Sequence, residues 1–454
     1  MVPNTSAHKV VVVGAGIAGL TAAYFLNQQG ISTRVIEATD RVGGRMTSDI
    51  INGHVIDRGA QFLSTEYGLI LDLLHQLDLS QHLCTTSQCS AIVRSGIPRS
   101  MRSNRPLDAL KLFSVHAMLS LAWATLPLSN KQKNLSLSDY SQWAAFDTES
   151  TASWSNRDIA DEVTEYMYEP MLQGFYFQTP EATSKALAVV LTAFGMRRAK
   201  TLSLKKGLGI LPVTLARGLD VMLSTTVQAI ESVDGKARVH TSSETFVAEH
   251  VILAVPAPVG KNLIAHLSDH LMESLLTTPY SASINVACIT DGNFELPKNL
   301  KNVYGLLIPR QERAAVAAVG IENNKNRRGG VGHLLNIMFS HDAAVRLMRS
   351  SDEDVVASAI QSVIDYFPSL SAHITNSLVY RWPAAEPLSP VGRSAQLQEY
   401  RKRCEKELPI AVLAGDYMSM PYTEGAAESG YWAAAMIARQ ASNITFQRAA
   451  YGSR

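Results

Sequence analysis

The residues best placed to do chemistry stand close to the N-terminus: Gly14-Ala15-Gly16-Ile17-Ala18-Gly19, after an apolar run at 9–13 and before a helical pattern at 20–29 that stops at Gly30. Each glycine has its own task. Gly14 permits a tight turn out of a strand, Gly16 lets a diphosphate approach the backbone, and Gly19 lets the helix pack on the strand. Free N–H groups and the dipole at the helix start attract phosphate. The run 31–36 reads as a second strand ending at Glu37, with Ala38 beside it. A carboxylate there accepts hydrogen bonds from a ribose and repels a 2′-phosphate, which disfavours NADP. A glycine-rich turn alone is a weak signal, but strand, turn, helix and acid in this order make a dinucleotide site.

The elements that must complete such a site lie further along. Arg41-Val42-Gly43-Gly44-Arg45 follows Glu37, and Asp57-Arg58-Gly59-Ala60-Gln61-Phe62 comes next. Paired glycines between arginines suit a loop that runs along a dinucleotide with its charges near phosphate. Near the other end, a buried-strand run at 410–414 leads into Gly415-Asp416, then Tyr422-Thr423-Glu424-Gly425-Ala426, then an apolar helix from Tyr431. On these residues the chain resembles the flavoprotein group that contains flavin amine oxidases, protoporphyrinogen oxidases and phytoene desaturases. The match is dense near both ends and thinner between them.

The resemblance implies FAD as cofactor. It places Gly14 to Gly19, Glu37, Ala38, Arg41, Gly43, Gly44 and Arg45 along the nucleotide, and Gly59, Ala60, Gln61 and Phe62 close to the flavin. It implies that Val227 sets its backbone against the adenine, and that Asp416 meets the ribityl or phosphate region. Glu424, Gly425 and Ala426 would open a helix whose positive end faces the flavin N1–C2=O edge, where the reduced ring carries negative charge. An aromatic corresponding to Trp382 would lie near the flavin.

Two departures narrow the reading. Amine oxidases of the group carry a strand lysine that holds a water at flavin N5, and alignment of 279–285 puts Asn285 in its place. Asn285 has no charge, so oxygen is expected to reoxidise this flavin more slowly than in lysine-bearing relatives. The stretch 383–393 has no cysteine, so the FAD is expected to be non-covalent. The run Tyr304-Gly305-Leu306-Leu307-Ile308-Pro309 is more similar to protoporphyrinogen oxidases. Phe175, Tyr176, Trp382, Tyr417 and Tyr422 are pocket candidates, and a core role for these aromatics is the competing reading.

The bulk numbers exclude other classes. The chain has 454 residues, 46% hydrophobic and 18% charged, with net charge +1 and no long basic run, so nucleic acid is not an expected partner. Four cysteines without metal spacing suggest a reduced, cytoplasmic protein, and no histidine grouping suggests a metal. The first apolar run enters the glycine motif at once and reads as part of the fold, not as a leader. The apolar segment 107–128 reads as a buried helix or a wall of a substrate pocket or, alternatively, as a face that touches a membrane.

The expected fold class is α/β: a discontinuous Rossmann-like FAD-binding domain (1–75, 205–262 and 405–454), with a helical insert at 76–204 and a sheet-bearing substrate domain at 263–404. The expected function is removal of hydride from a C–N or C–C unit of an apolar, cyclic substrate, with oxygen or another acceptor. The alternatives are a flavin-dependent isomerase or mutase, a polyene desaturase, and an FAD-stabilised binding protein.

Overall fold

The structure, a computed structural model, describes residues 8–442 apart from 103–104, 265, 313–314 and 328. The ends 1–7 and 443–454 of the expected nucleotide domain lie outside the described residues.

The valine run forms the strand His8–Val13, buried from Val10 onward as a central parallel strand must be. It lies between Thr33–Ile36 and Thr245–Leu253, both parallel to it. Asp220–Met222 extends the sheet on one side and Ala411–Leu413 on the other, again in parallel. Segments from the beginning, middle and end of the chain therefore build one sheet. The strand ending at Leu253 is longer than its apolar stretch suggests. Its first half pairs antiparallel with Lys236–Thr241, which pairs with Val227–Val233.

Two helices cover this sheet, Ile17–Gln28 and Thr423–Ser442. They cross closely because Gly430 has no side chain: a Cβ there would stand 2.0 Å from the Ala18 carbonyl oxygen. The last helix begins at Thr423, well before Tyr431.

The second sheet runs in the order Ile374–Pro387, Tyr280–Thr290, Leu334–Phe339, Val316–Ile321, Gly305–Leu307, Cys89–Arg94 and Ile97–Arg102. It is mixed, since only Gly305–Leu307 and Cys89–Arg94 pair in parallel. Two of its strands come from 76–204, a segment that is otherwise largely helical. Cys89–Arg94 and Ile97–Arg102 form a hairpin through Ser95 and Gly96, both at positive φ (56° and 72°), the backbone of a tight hairpin turn. The long strand Ile374–Pro387 was not foreseen, because Arg381, Pro383 and Glu386 break any apolar alternation. Its edge position tolerates the prolines.

Candidate functional site

A cleft of about 450 Å³ opens where the parallel strands end and the second sheet meets them. Its wall contains Gly14, Gly16, Ile17, Ala18, Glu37, Ala38, Arg41, Gly43, Gly44, Arg45, Gly59, Ala60, Gln61, Asn285, Trp382, Gly415, Asp416 and Ala426. Residues read from three distant stretches of sequence thus share one surface. Arg58, Pro256, Ser283, Met338, Glu386 and Thr423 join them, and these were not foreseen.

The local geometry fits a dinucleotide. A Cβ on Gly16 would meet nothing within 4 Å, so the space above it is open for a diphosphate. Gly19 has the opposite role: a Cβ would lie 2.0 Å from the Gly14 carbonyl oxygen. The Glu37 carboxylate is held in place by the N–H of Ala15 at 2.8 Å and of Thr39 at 2.9 Å. Ala15 therefore orients the acid and does not itself line the cleft. Asn285 is 3% exposed and its side-chain nitrogen donates to the Asp57 and Arg58 carbonyls at 3.4 Å. Its Oδ1 is buried without a partner, in a residue of the cleft wall. A ligand carrying an N–H, as a flavin does, would satisfy it.

Several residues take other places than expected. Arg45 pairs with Asp416 at 2.6 Å and donates to the Ala385 carbonyl, so its charge ties two walls of the cleft together. Glu424 turns away from the cleft. Its carboxylate accepts the N–H groups of Leu69 and Ile70, both at 2.8 Å, and the Ser138 hydroxyl. It caps the start of the helix Leu69–Gln76, where a carboxylate complements the dipole. Gly425 is a packing position, since a Cβ would meet Met420 backbone at 2.2 Å. Val227 sits in the apolar core and is absent from the cleft wall. Tyr417 is fully buried and lines neither cavity.

A second cavity of about 130 Å³ adjoins the first. Phe62, Phe175, Tyr176, Phe177, Tyr304 and Tyr422 line it. Phe62 meets Phe175 edge-on at 5.5 Å, and Tyr422 stacks on Tyr67 at 5.5 Å. Phe177 ends the helix Glu169–Tyr176 at φ 55°, an uncommon conformation for a bulky residue, and reaches the walls of both cavities. Gly59, Ala60, Gln61, Met338, Glu386, Tyr422 and Thr423 likewise belong to both walls.

The turn 59–61 rests on a buried charge cluster that the sequence did not reveal. Lys325 and Asp57 are both 0% exposed and lie 3.1 Å apart. Lys325 also meets Glu322 at 2.7 Å, and Arg327 meets Asp57 at 2.5 Å. The Lys325 ammonium donates to the Gln61 side-chain oxygen at 3.3 Å, and the Gln61 amide nitrogen donates back to the Asp57 carbonyl at 2.9 Å. Burial alone would raise the Asp57 carboxyl, but Arg327 and Lys325 hold it at about 2. Four charges from two segments, 57 and 322–327, therefore fix the residue at the junction of the two cavities. Lone charged residues on loops gave no signal that they would converge.

Residues 17–438 match the family described as Flavin containing amine oxidoreductase. Protoporphyrinogen oxidase 2, chloroplastic/mitochondrial, of Arabidopsis thaliana is 30% identical over 181 residues, 39% of this chain and 34% of that protein. The chain thus matches only a third of the length of that plant relative. Coproporphyrinogen III oxidase of Mycobacterium tuberculosis (strain ATCC 25618 / H37Rv) is 25% identical over 453 residues, 92% of this chain and 95% of that protein. Cyclohexylamine oxidase from Brevibacterium oxydans IH-35A has the same fold, with a TM-score of 0.76 at 18% identity over 96% of this chain and 99% of that one. With the glycine turn, the cleft and the second sheet in one arrangement and the match running through nearly the whole length, the chain belongs to the flavin-containing amine oxidoreductase family, as an FAD-dependent oxidoreductase.

Proposed function

We propose that the protein holds FAD non-covalently and removes a hydride from a C–N or C–C unit of a small, apolar, ring-sized substrate. One observation carries this reading: the nucleotide cleft continues into an aromatic cavity of about 130 Å³, and the two share the turn 59–61. That volume compares with the roughly 150 Å³ engineered cavity that holds benzene in another protein. Pockets for drug-sized ligands span about 300–1,000 Å³, and a tetrapyrrole is no smaller than such ligands, so a cavity of about 130 Å³ favours a single ring over the porphyrinogens named for the relatives. FAD, when bound, supplies the hydride acceptor. The chain's own part is to hold the substrate against the flavin edge with Phe62, Phe175 and Tyr422 and to exclude water there. Gly14, Gly16, Glu37 and Arg41 are assigned to the nucleotide, and Gly59, Ala60, Asn285 and Trp382 to the flavin end.

The test is anaerobic titration of the yellow protein with benzylamine, toluidine, pyrrole derivatives and coproporphyrinogen, following the visible flavin band. Bleaching by single-ring compounds is expected. Bleaching by the macrocycle alone overturns the size argument, and turnover that requires prior flavin reduction favours an isomerase. Acid should release intact FAD, and colour that stays with the precipitate contradicts non-covalent binding.

A surface observation supports peripheral membrane contact through 107–128. The helix Val115–Gln132 exposes Val115, Leu119, Trp123 and Leu126 at 64%, 65%, 82% and 64%, all on one face by their spacing. Leu107 stands 76% exposed just before it, and Arg105 adds a positive charge beside the apolar patch. The reading as a buried helix holds for one face only, where Ala117 packs inward. No helix among the described residues is long and apolar enough to cross a membrane, so the face would lie on one. Wild type is expected to sediment with phosphatidylcholine–phosphatidylserine vesicles, and Leu119→Ser/Trp123→Ser to lose at least about tenfold in affinity, since burying each large apolar side chain contributes about 1.5–3 kcal/mol. Equal sedimentation of both proteins excludes this surface.

A further inference from the structure

We propose that Arg393, Tyr140, Tyr417 and Ser389 form a buried site for a small monovalent anion of the chloride class, behind the wall of the nucleotide cleft. None of the four lines either cavity, so the site is separate from the one assigned to FAD and substrate.

The starting observation is a shortage of acceptors. Arg393 Nη2, the phenol oxygens of Tyr140 and Tyr417, and the Ser389 hydroxyl are buried, and none has a hydrogen-bond partner among the described residues. Arg393, Tyr140, Tyr417 and Ser389 are 3%, 0%, 0% and 1% exposed. Each of these groups has a proton to donate. The neighbouring Thr278 hydroxyl cannot serve them: it accepts from Arg393 Nη1 at 2.6 Å and donates to the Leu275 carbonyl at 2.6 Å. A buried polar group without a partner costs free energy, and a buried cation without one costs more.

The chain brings these donors together from separate segments. The strand pairing of Tyr280 with Pro387 continues outward, with the Leu388 N–H on the Pro279 carbonyl at 2.8 Å. That sets Ser389 next to Thr278, and so next to Arg393. Tyr140 belongs to the same neighbourhood, because its carbonyl accepts the Ser394 hydroxyl. The Tyr417 N–H and the Tyr280 hydroxyl meet on one oxygen of Asp416, both at 3.0 Å, which puts Tyr417 beside the strand that follows Thr278. Burial and a nearby carboxylate raise the phenols of Tyr140 and Tyr417, and Arg393 opposes the rise at each, so its guanidinium lies within electrostatic reach of both.

The carboxylates of this neighbourhood are engaged elsewhere. Asp416 pairs with Arg45 at 2.6 Å through its other oxygen. Asp147 accepts the Ser184 hydroxyl at 2.6 Å and the N–H groups of Gly392 and Ser394 at 2.9 and 2.6 Å. Neither makes an ion pair with Arg393, and burial draws its guanidinium below the ordinary value. A water could accept from fewer donors than these and would have protons of its own to place. A halide accepts from all of them and supplies the charge that Arg393 lacks.

The test follows thermal unfolding of the FAD-loaded protein in sodium chloride, sodium bromide and sodium gluconate, a much larger anion, at equal ionic strength. Bromide is located by anomalous scattering from crystals grown in it. Halide is expected to raise the midpoint over gluconate by about 2–4 °C, saturably, because it binds only the folded state. A bromide peak is expected among Arg393, Tyr140 and Tyr417. Arg393→Met should abolish the halide response, yet unfold in gluconate no earlier than the wild type, since it removes an unpaired buried cation. Tyr417→Phe keeps the charge and should raise the halide concentration for half the shift about tenfold. Equal midpoints in halide and gluconate overturn the proposal, as does a halide response that persists in Arg393→Met. If Arg393→Met does not fold, an unshifted half-maximal concentration in Tyr417→Phe overturns it instead. A bromide peak without a midpoint response marks an adventitious ion only, and a water at this position in bromide-grown crystals overturns the site as well.

Discussion

A valine at position 16 is expected to give a folded protein that is colourless. Gly16 is the one glycine of the N-terminal motif whose replacement separates cofactor binding from folding. Its φ of −70° and ψ of 176° suit any residue, and a Cβ would meet nothing within 4 Å. The valine side chain would instead fill the space over the helix start, where a diphosphate approaches the free N–H groups. FAD affinity should fall at least a hundredfold, roughly 3 kcal/mol. The other two glycines cannot serve this test. Gly14 has φ 101° and would place a Cβ 2.5 Å from the Ala254 oxygen, and a Cβ on Gly19 would stand 2.0 Å from the Gly14 oxygen. Those changes should damage the sheet itself. The measurement is the ratio of flavin to protein absorbance after purification, with circular dichroism to show that the fold persists. Full flavin content in Gly16→Val removes the diphosphate from this turn.

Replacing Lys325 with methionine should cost more stability than any single surface change. The ammonium is fully buried between Asp57 at 3.1 Å and Glu322 at 2.7 Å. Its loss leaves an excess of negative charge in a fully buried region, and breaking one partner of a buried network costs about 3–5 kcal/mol. A midpoint lower by on the order of 5–10 °C is expected in thermal unfolding. Arg157→Ala is the control, since its pair with Glu149 involves a side chain 57% exposed and should contribute little. The cluster also predicts acid sensitivity. Asp57 titrates at about 2 in the folded protein against an ordinary 3.8, so folding releases protons in this range. Its contribution is complete above about pH 4 and is lost as the pH falls towards 2. Because Lys325 also holds the Gln61 side chain, Lys325→Met should loosen the turn that both cavities share. A variant as stable as the wild type means that water or a rearranged Arg327 replaces the ammonium.

The nucleotide half of the site was legible in the sequence because its signals are local. Strand, turn, helix and acid succeed one another within the first forty residues. Each requirement, a missing side chain or a carboxylate at a strand end, is met by one residue type at one position. The second motif near Asp416 reads the same way. Where local reading failed, the residue had two uses open to it. Glu424 follows an aromatic loop as a flavin contact would, yet it caps a helix from another part of the chain. Arg45 lines the cleft and also pairs with Asp416, a partner its sequence position did not reveal. At the second cavity only the aromatics Phe62, Phe175, Tyr176 and Tyr422 were legible. Glu386, Met338 and Gln61 come from separate strands and a turn, and they meet only because the second sheet pairs in a particular register. Lys325 and Arg327, from one stretch, converge in the same manner on Asp57 at the end of a strand. Pairing register depends on the burial of whole faces, summed over many residues, and a shift by one residue would turn every side chain to the other face. So the sequence by itself determined the family, the fold and the glycine turn at the head of the first helix. Only the tertiary structure decided which carboxyl faces the second cavity, how large a molecule that cavity admits, and which buried cation supports the junction.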